Sequence, residues 1–184
     1  FSSIAQIGYI TLGIGIATGA GIAAGFIHIG NHALIKGGLF MAVGGIFLAT
    51  GSRVSVMSMT GIGRKMPLTA TAFLICGLSL IGLPLTDGFI SKLYLVRALL
   101  DNDNLVIVGL VLASSALSVM YLWKIVEVMW VRPAPVDALE INERPALYIP
   151  LWIIAIANIW LGLDASWLVG AAEAAAASLL GAGG

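Results

Sequence analysis

Ile, Leu, Val, Ala and Gly fill runs along this chain that are far longer than a soluble helix needs, and the polar residues are gathered into short breaks between them. Crossing a hydrocarbon core takes roughly 20 helical residues, and only helices or closed barrels satisfy their backbone groups there. The runs exceed the ~10-residue alternating segments of a barrel, so the pattern predicts helices. Residues 4 to 50 are apolar for too long to be one helix, and "GIATGAGIAAG" (15–25) reads as the turn. The predicted spans lie near 2–18, 22–50, 67–100, 105–131 and 146–163. The Ala- and Gly-rich tail, 164–184, either extends the last span or lies along the membrane interface.

The third span is unlike the others. At 1.5 Å per residue, 67–100 would be ~50 Å as a continuous helix, too long for one simple crossing. Its middle reads "GLPLTDGFISK" (82–92). Pro84 removes a backbone donor, Gly82 and Gly88 loosen the chain, and Thr86, Asp87 and Ser91 can satisfy the freed groups. The expected fold class is therefore an all-α integral membrane protein of about five transmembrane helices, one of them broken in mid-membrane.

Composition agrees with this class. Of 184 residues, 60% are hydrophobic and 10% charged, against about 25% charged in soluble domains, and the mean hydropathy is +1.05. Nine basic and nine acidic residues cancel, which leaves no electrostatic footprint for nucleic acid. The single cysteine, Cys76, excludes an intrachain disulfide and a thiolate cluster built from this chain. The first residue is Phe, with no n-region or cleavage site before the first apolar run, so the chain reads as a piece of a longer protein whose N-terminal part is missing.

Charge in the connections orients the spans. Residues 51–67 carry Arg53, Arg64 and Lys65 and no acid, "DNDN" (101–104) carries two acids and no base, and 132–145 is mixed with Arg132 and Arg144. The positive-inside rule places 51–67 and 132–145 on the cytoplasmic side and 101–104 on the other. Asp103, Asp137, Glu140, Glu143 and Arg144 read as solvated loop charges.

The candidate chemistry lies inside the spans. In "HIGNHALIK" (28–36), His28, His32 and Lys36 are four apart, so they form one polar stripe over about two helical turns. Ionisable groups in a membrane usually face a bundle interior or a wet cavity. Such a stripe can pass protons through water; it can instead hydrogen-bond between helices, with Lys36 snorkelling to an interface. Two His four apart can also share a metal ion, which Lys36 on the same face and the lack of a nearby carboxylate or thiolate disfavour. Lys92 follows the helix break directly and is the candidate titrating group there; the competing reading is a proline kink with Lys92 and Arg97 as interface anchors. Lys124 and Glu127 are three apart and form a secondary polar pair, read as an anchor flanked by Trp123 and Trp130.

Taken in order, "SSIAQIGYITLG", "HIGNHALIKGGLFMAVG", "GIGRKMP", "GLSLIGLPLTDGFISKLYL" and "YLWKIVEVMWVRP" resemble the second half of the antiporter-like membrane subunits. These are the D-type and A-type members of Mrp Na+/H+ antiporters and the L, M and N members of proton-pumping NADH:quinone oxidoreductase. The resemblance covers all but the Ala-rich tail and is greatest to the Mrp D type. It implies an inverted-repeat fold in which this chain is the second five-helix bundle and a missing N-terminal half is its partner. It further implies that His28, His32 and Lys36 belong to the connecting part of a buried proton path, and that Lys92 is the broken-helix lysine. Where relatives often have a bulky aromatic near the second histidine, this chain has Gly37 and Gly38.

The implied function is proton translocation in a multisubunit monovalent cation/proton antiporter, with H+ and Na+ or K+ as transported ions. The alternative is the same path in a subunit of a redox-driven NADH:quinone oxidoreductase, a translocase. No GxGxxG fingerprint, cysteine cluster or haem or flavin constellation is present, so no redox cofactor is expected in this chain. The expected setting is a bacterial plasma membrane, with other complex subunits and the lipid bilayer as partners.

Overall fold

The computed structural model describes residues 2–51, 53–133 and 143–181. Helix α1 (Ser2–Gly15) turns through Ile16–Thr18 into the long α2 (Gly19–Thr50). The turn is shorter than the 15–25 stretch expected from its glycines. Ala17 adopts a left-handed conformation, and the Thr18 hydroxyl accepts from the Gly21 amide as an N-cap. Gly21 and Gly25 instead serve the packing of α2 on α1: a Cβ on Gly13 would stand 2.9 Å from both the Gly21 carbonyl oxygen and the Gly25 nitrogen. Small residues let two backbones approach where the bilayer supplies no hydrophobic drive between helices. α2 stops at Gly51, a left-handed C-cap.

A short α3 (Ile62–Lys65) leads into α4 (Pro67–Ile81), which begins with proline at its first position. α5 (Asp87–Leu100) follows after a five-residue break, then α6 (Leu105–Val126), α7 (Pro145–Leu163) and α8 (Ser166–Leu179). The helices Gly19–Thr50, Leu105–Val131 and Pro145–Leu163 are each long and apolar enough to cross a membrane. A fourth such segment is a bent pair, Met57–Lys65 with Pro67–Ile81, at 113°. α1, α4 and α5, of 14, 15 and 14 residues, are about 21–23 Å long at the helical rise, shorter than the hydrocarbon core. The expected third span is thus two half-helices.

α2 is the axis of the bundle. Its C-terminal half packs with α4, α7 and the end of α6 around Ala42, Ile46, Met66, Phe73, Met129 and Leu151. Its N-terminal half meets α8 through Ile22, Ala23, Ile27, Ala172 and Ala176. After Asp164, which accepts from the Ser166 amide and hydroxyl, the chain leaves α7 and lays α8, the described part of the Ala-rich tail, on α2, so the tail does not extend the last span as one continuous helix.

The basic connection and the end of the mixed one meet at one end of the bundle. The Glu143 carboxylate accepts from the Leu68 and Thr69 amides at 3.2 and 2.8 Å, satisfying first-turn donors of α4, and the Gly61 amide donates to the Val128 carbonyl. Glu143 is a helix cap and not the solvated loop charge that the sequence pattern predicts. Asp137 and Glu140 lie outside the described residues.

Candidate functional site

The stripe on α2 points into the bundle. His28 is 2% exposed, and both its ring nitrogens are engaged: Nε2 lies 2.9 Å from Gln6 Oε1 on α1 and Nδ1 lies 2.8 Å from Ser91 Oγ on α5. Since Gln6 Oε1 can only accept, Nε2–H donates to it, and Nδ1 of the neutral ring accepts from the Ser91 hydroxyl. No nitrogen of His28 is left for a metal ion. The His32 ring lies one turn on, parallel to His28 at 4° with centroids 6.3 Å apart, and its Nδ1 is buried without a partner. Lys36 Nζ donates to Ser2 Oγ at 2.6 Å.

The break puts Lys92 beside this stripe. α4 ends at Gly82, whose φ of +87° is left-handed, and residues 83–86 interrupt the helix before α5 begins at Asp87 and continues along α2 in the same direction as α4, from Asn31 past His28. Gly82 must lack a side chain, because a Cβ there would stand 2.8 Å from Lys92 Cδ. Lys92 is 8% exposed and folds back over the end of α4, where Nζ donates to the Leu80 and Ile81 carbonyls. These are carbonyls that a helix C-terminus leaves unpaired, and the dipole there favours a cation. The ammonium also lies 5.5 Å over the Tyr9 ring, and Tyr9 meets His28 edge-on with centroids 5.5 Å apart. Pro84 lies within the break and Gly88 just after it; Gly88 packs against the Ser79 carbonyl so closely that a Cβ has no room.

Two cavities complete the polar region. One of about 490 Å³ between α1 and α6 is lined by Ser2, Gln6, Ser114, Ser118 and Tyr121 among others, so it touches the hydrogen-bond partners of both Lys36 and His28. A second of about 200 Å³ is lined by Gly82, Lys92 and Ser115 with apolar residues of α5 and α6.

Residues 1–118 match the family described as NADH:quinone oxidoreductase/Mrp antiporter, TM. The chain belongs to this family. It is 38% identical over 176 residues to the N-type subunit of NADH-quinone oxidoreductase from Desulforudis audaxviator, covering 89% of this chain and 35% of that protein. It is 34% identical over 122 residues to the D-type subunit of the Na+/H+ antiporter from Alkalihalophilus pseudofirmus, covering 66% of this chain and 24% of that one. The fold superimposes on a chain of the Mrp complex from a Dietzia species with a TM-score of 0.84 at 26% identity, covering 97% of this chain and 41% of that one. The chain thus spans about a third of the length of the relatives it matches.

One expected pairing is corrected. Glu127 does not pair with Lys124; its carboxylate accepts from Arg132 at 3.1 Å. The cause is local: residues Glu127–Val131 form a π turn, closed by the Arg132 amide on the Glu127 carbonyl. A π turn brings i and i+5 together, where an α-helix brings i and i+3 or i+4. That pair is partly exposed at the helix end, away from the His28 stripe.

Gln6, Tyr9, Asn31 and Ser79 were not singled out by the sequence pattern, and Ser91 was marked only for the helix break and not as a partner of His28. The only available signal was the presence of amide or hydroxyl side chains inside apolar runs, which is common in packed membrane helices. Their partners come from other helices, up to 63 positions away for His28 and Ser91.

Proposed function

We propose that this chain is the second-bundle part of a proton-translocating membrane subunit, and that protons pass along Lys36, His32, His28 and Lys92. The observation that supports this reading best is the shared cavity: Ser2, which holds Lys36, and Gln6, which holds His28, line one space of about 490 Å³, large enough for several waters. Gly82, Pro84, Asp87 and Gly88 form the break that brings Lys92 to His28 through Ser91 and Tyr9. The chain would then hold a half-channel, and the remaining path would lie in the part of its relatives that it does not span.

The complex is a monovalent cation/proton antiporter on this reading, in line with the Mrp fold match over 97% of the chain. A redox-driven pump is the second reading, favoured by the longer match to the N-type subunit of an NADH-quinone oxidoreductase. The setting is a bacterial plasma membrane with 51–67 and 132–145 on the cytoplasmic side, consistent with their meeting at one end of the bundle.

Lys92→Ala in the full complex, reconstituted in vesicles, is expected to abolish ΔpH formation while assembly survives; unchanged transport would overturn the path. The same vesicles separate the two readings. An antiporter forms ΔpH on addition of Na+ or K+ with no electron donor, and a redox pump forms it only while donor is oxidised.

A further inference from the structure

The break has a second polar face that the path above does not use. Among the described residues, five buried side-chain atoms lack a hydrogen-bond partner, and three of them are acceptor oxygens on residues with no exposed surface: Asn31 Oδ1, Asp87 Oδ2 and Asn158 Oδ1. Both amides are held in one orientation, because Asn31 Nδ2 donates to the Asp87 carbonyl and Asn158 Nδ2 to the Ile154 carbonyl. Asn158 lies one turn from Gly162, which packs on Leu85 and Thr86 just before Asp87, and one turn from Ile154, which packs near Gly38 and Cys76. Asn31 thus meets the start of α5 directly, and Asn158 stands on α7 one turn from the residue that packs against the break.

Asp87 Oδ2 itself has no hydrogen-bond partner among the described residues. The Ser79 hydroxyl gives its one hydrogen to Asp87 Oδ1, and its oxygen accepts from the Gly88 amide at 3.1 Å. Lys92 is five positions on, about 140° round the helix, with its ammonium on the Leu80 and Ile81 carbonyls. The other ionisable groups on the packed elements are Cys76 on α4, His28, His32 and Lys36 on α2, Tyr9 on α1, Tyr121 and Lys124 on α6, Tyr94 and Arg97 further along α5, and Tyr148 near the far end of α7. None of the cations among them is hydrogen-bonded to Asp87. A bare carboxylate oxygen in apolar surroundings beside carbonyl oxygens is strongly disfavoured. A proton on Oδ2 converts an acceptor to a donor, and the Asn31 carbonyl oxygen sits on the amide that already holds the Asp87 backbone.

We propose that Asp87 is a proton-binding site on the face of the broken helix away from Lys92, carrying its proton on Oδ2 with the Asn31 side-chain oxygen as the waiting acceptor. Binding and release are one reversible step, carboxylic acid to carboxylate plus proton, with Ser79 holding Oδ1 in both forms. What the proton does next rests on the proposed path; the site itself does not.

Infrared spectra of the full complex at neutral pH test it without reference to transport. A protonated-carboxyl C=O band that shifts on exchange into D2O is expected, lost in Asp87→Asn and moved toward the position of an unbonded acid in Asn31→Leu. An unchanged band in both variants overturns the site. A carboxylate band from Asp87 that differs between sodium- and potassium-saturated samples also overturns it, by assigning a metal cation in place of the proton. Asn31→Leu keeps the test decisive if Asp87→Asn fails to assemble. A negative Lys92→Ala transport result would leave the Asp87 band where it is.

Discussion

His28 has both ring nitrogens committed, and that decides which neighbours matter to it. A proton arriving at Nδ1 requires the Ser91 hydroxyl to turn away, and the Gly88 carbonyl, 3.2 Å from Ser91 Oγ, is there to receive it. Ser91 is therefore the hinge of any charge change on His28, while Gln6 holds Nε2–H throughout. Ser91→Ala is expected to slow proton transport about tenfold, the equivalent of one buried hydrogen bond of ~1.4 kcal/mol, with the complex still assembled. Stopped-flow acidification of vesicles would measure it, and wild-type rates would remove Ser91 from the path. At this scale the charged members were legible in the sequence, because a Lys or His in an apolar run is costly and stands out. Their uncharged partners were not, since a Ser or Gln in a membrane helix draws no attention until another helix meets it.

Among the elements, the broken helix depends on backbone geometry more than on the proline that advertises it. Gly82 makes the left-handed exit from α4, and the space where its side chain would be is filled by the Lys92 stem. Gly82→Ala is expected to cost ~1–2 kcal/mol for the left-handed conformation alone and to push Lys92 off the α4 carbonyls. Thermal unfolding of the solubilised complex should show a lower midpoint, and an unchanged midpoint would mean that the exit relaxes freely. The proline and glycines marked the place of the break, but which carbonyls Lys92 would cap depended on how the start of α5 is set against the end of α4. The π turn at Glu127 is a similar case. Helical spacing pointed to Lys124, and one extra residue in the turn delivered Arg132. A local change of pitch leaves no periodic signature in a run that is apolar all round.

For the whole molecule, the feature that joins the parts is the space between α1 and α6. Ser118→Trp, on α6 and lining that cavity, is expected to fill it and reduce ΔpH formation severalfold without altering assembly. Wild-type transport would show that no water path runs there. The chain's hydropathy, its break residues and the spacing of its charges were enough to establish a helical membrane bundle with a polar stripe facing inward, because the cost of charge in lipid is paid residue by residue and can be read residue by residue. Tertiary structure alone decided that His28 reaches Gln6 and Ser91, that α8 folds back onto α2, that Glu143 caps α4, and that Asn31 reaches the Asp87 backbone. Each of these joins residues far apart in sequence, and contacts of that kind are set by how helices pack, which no local pattern encodes.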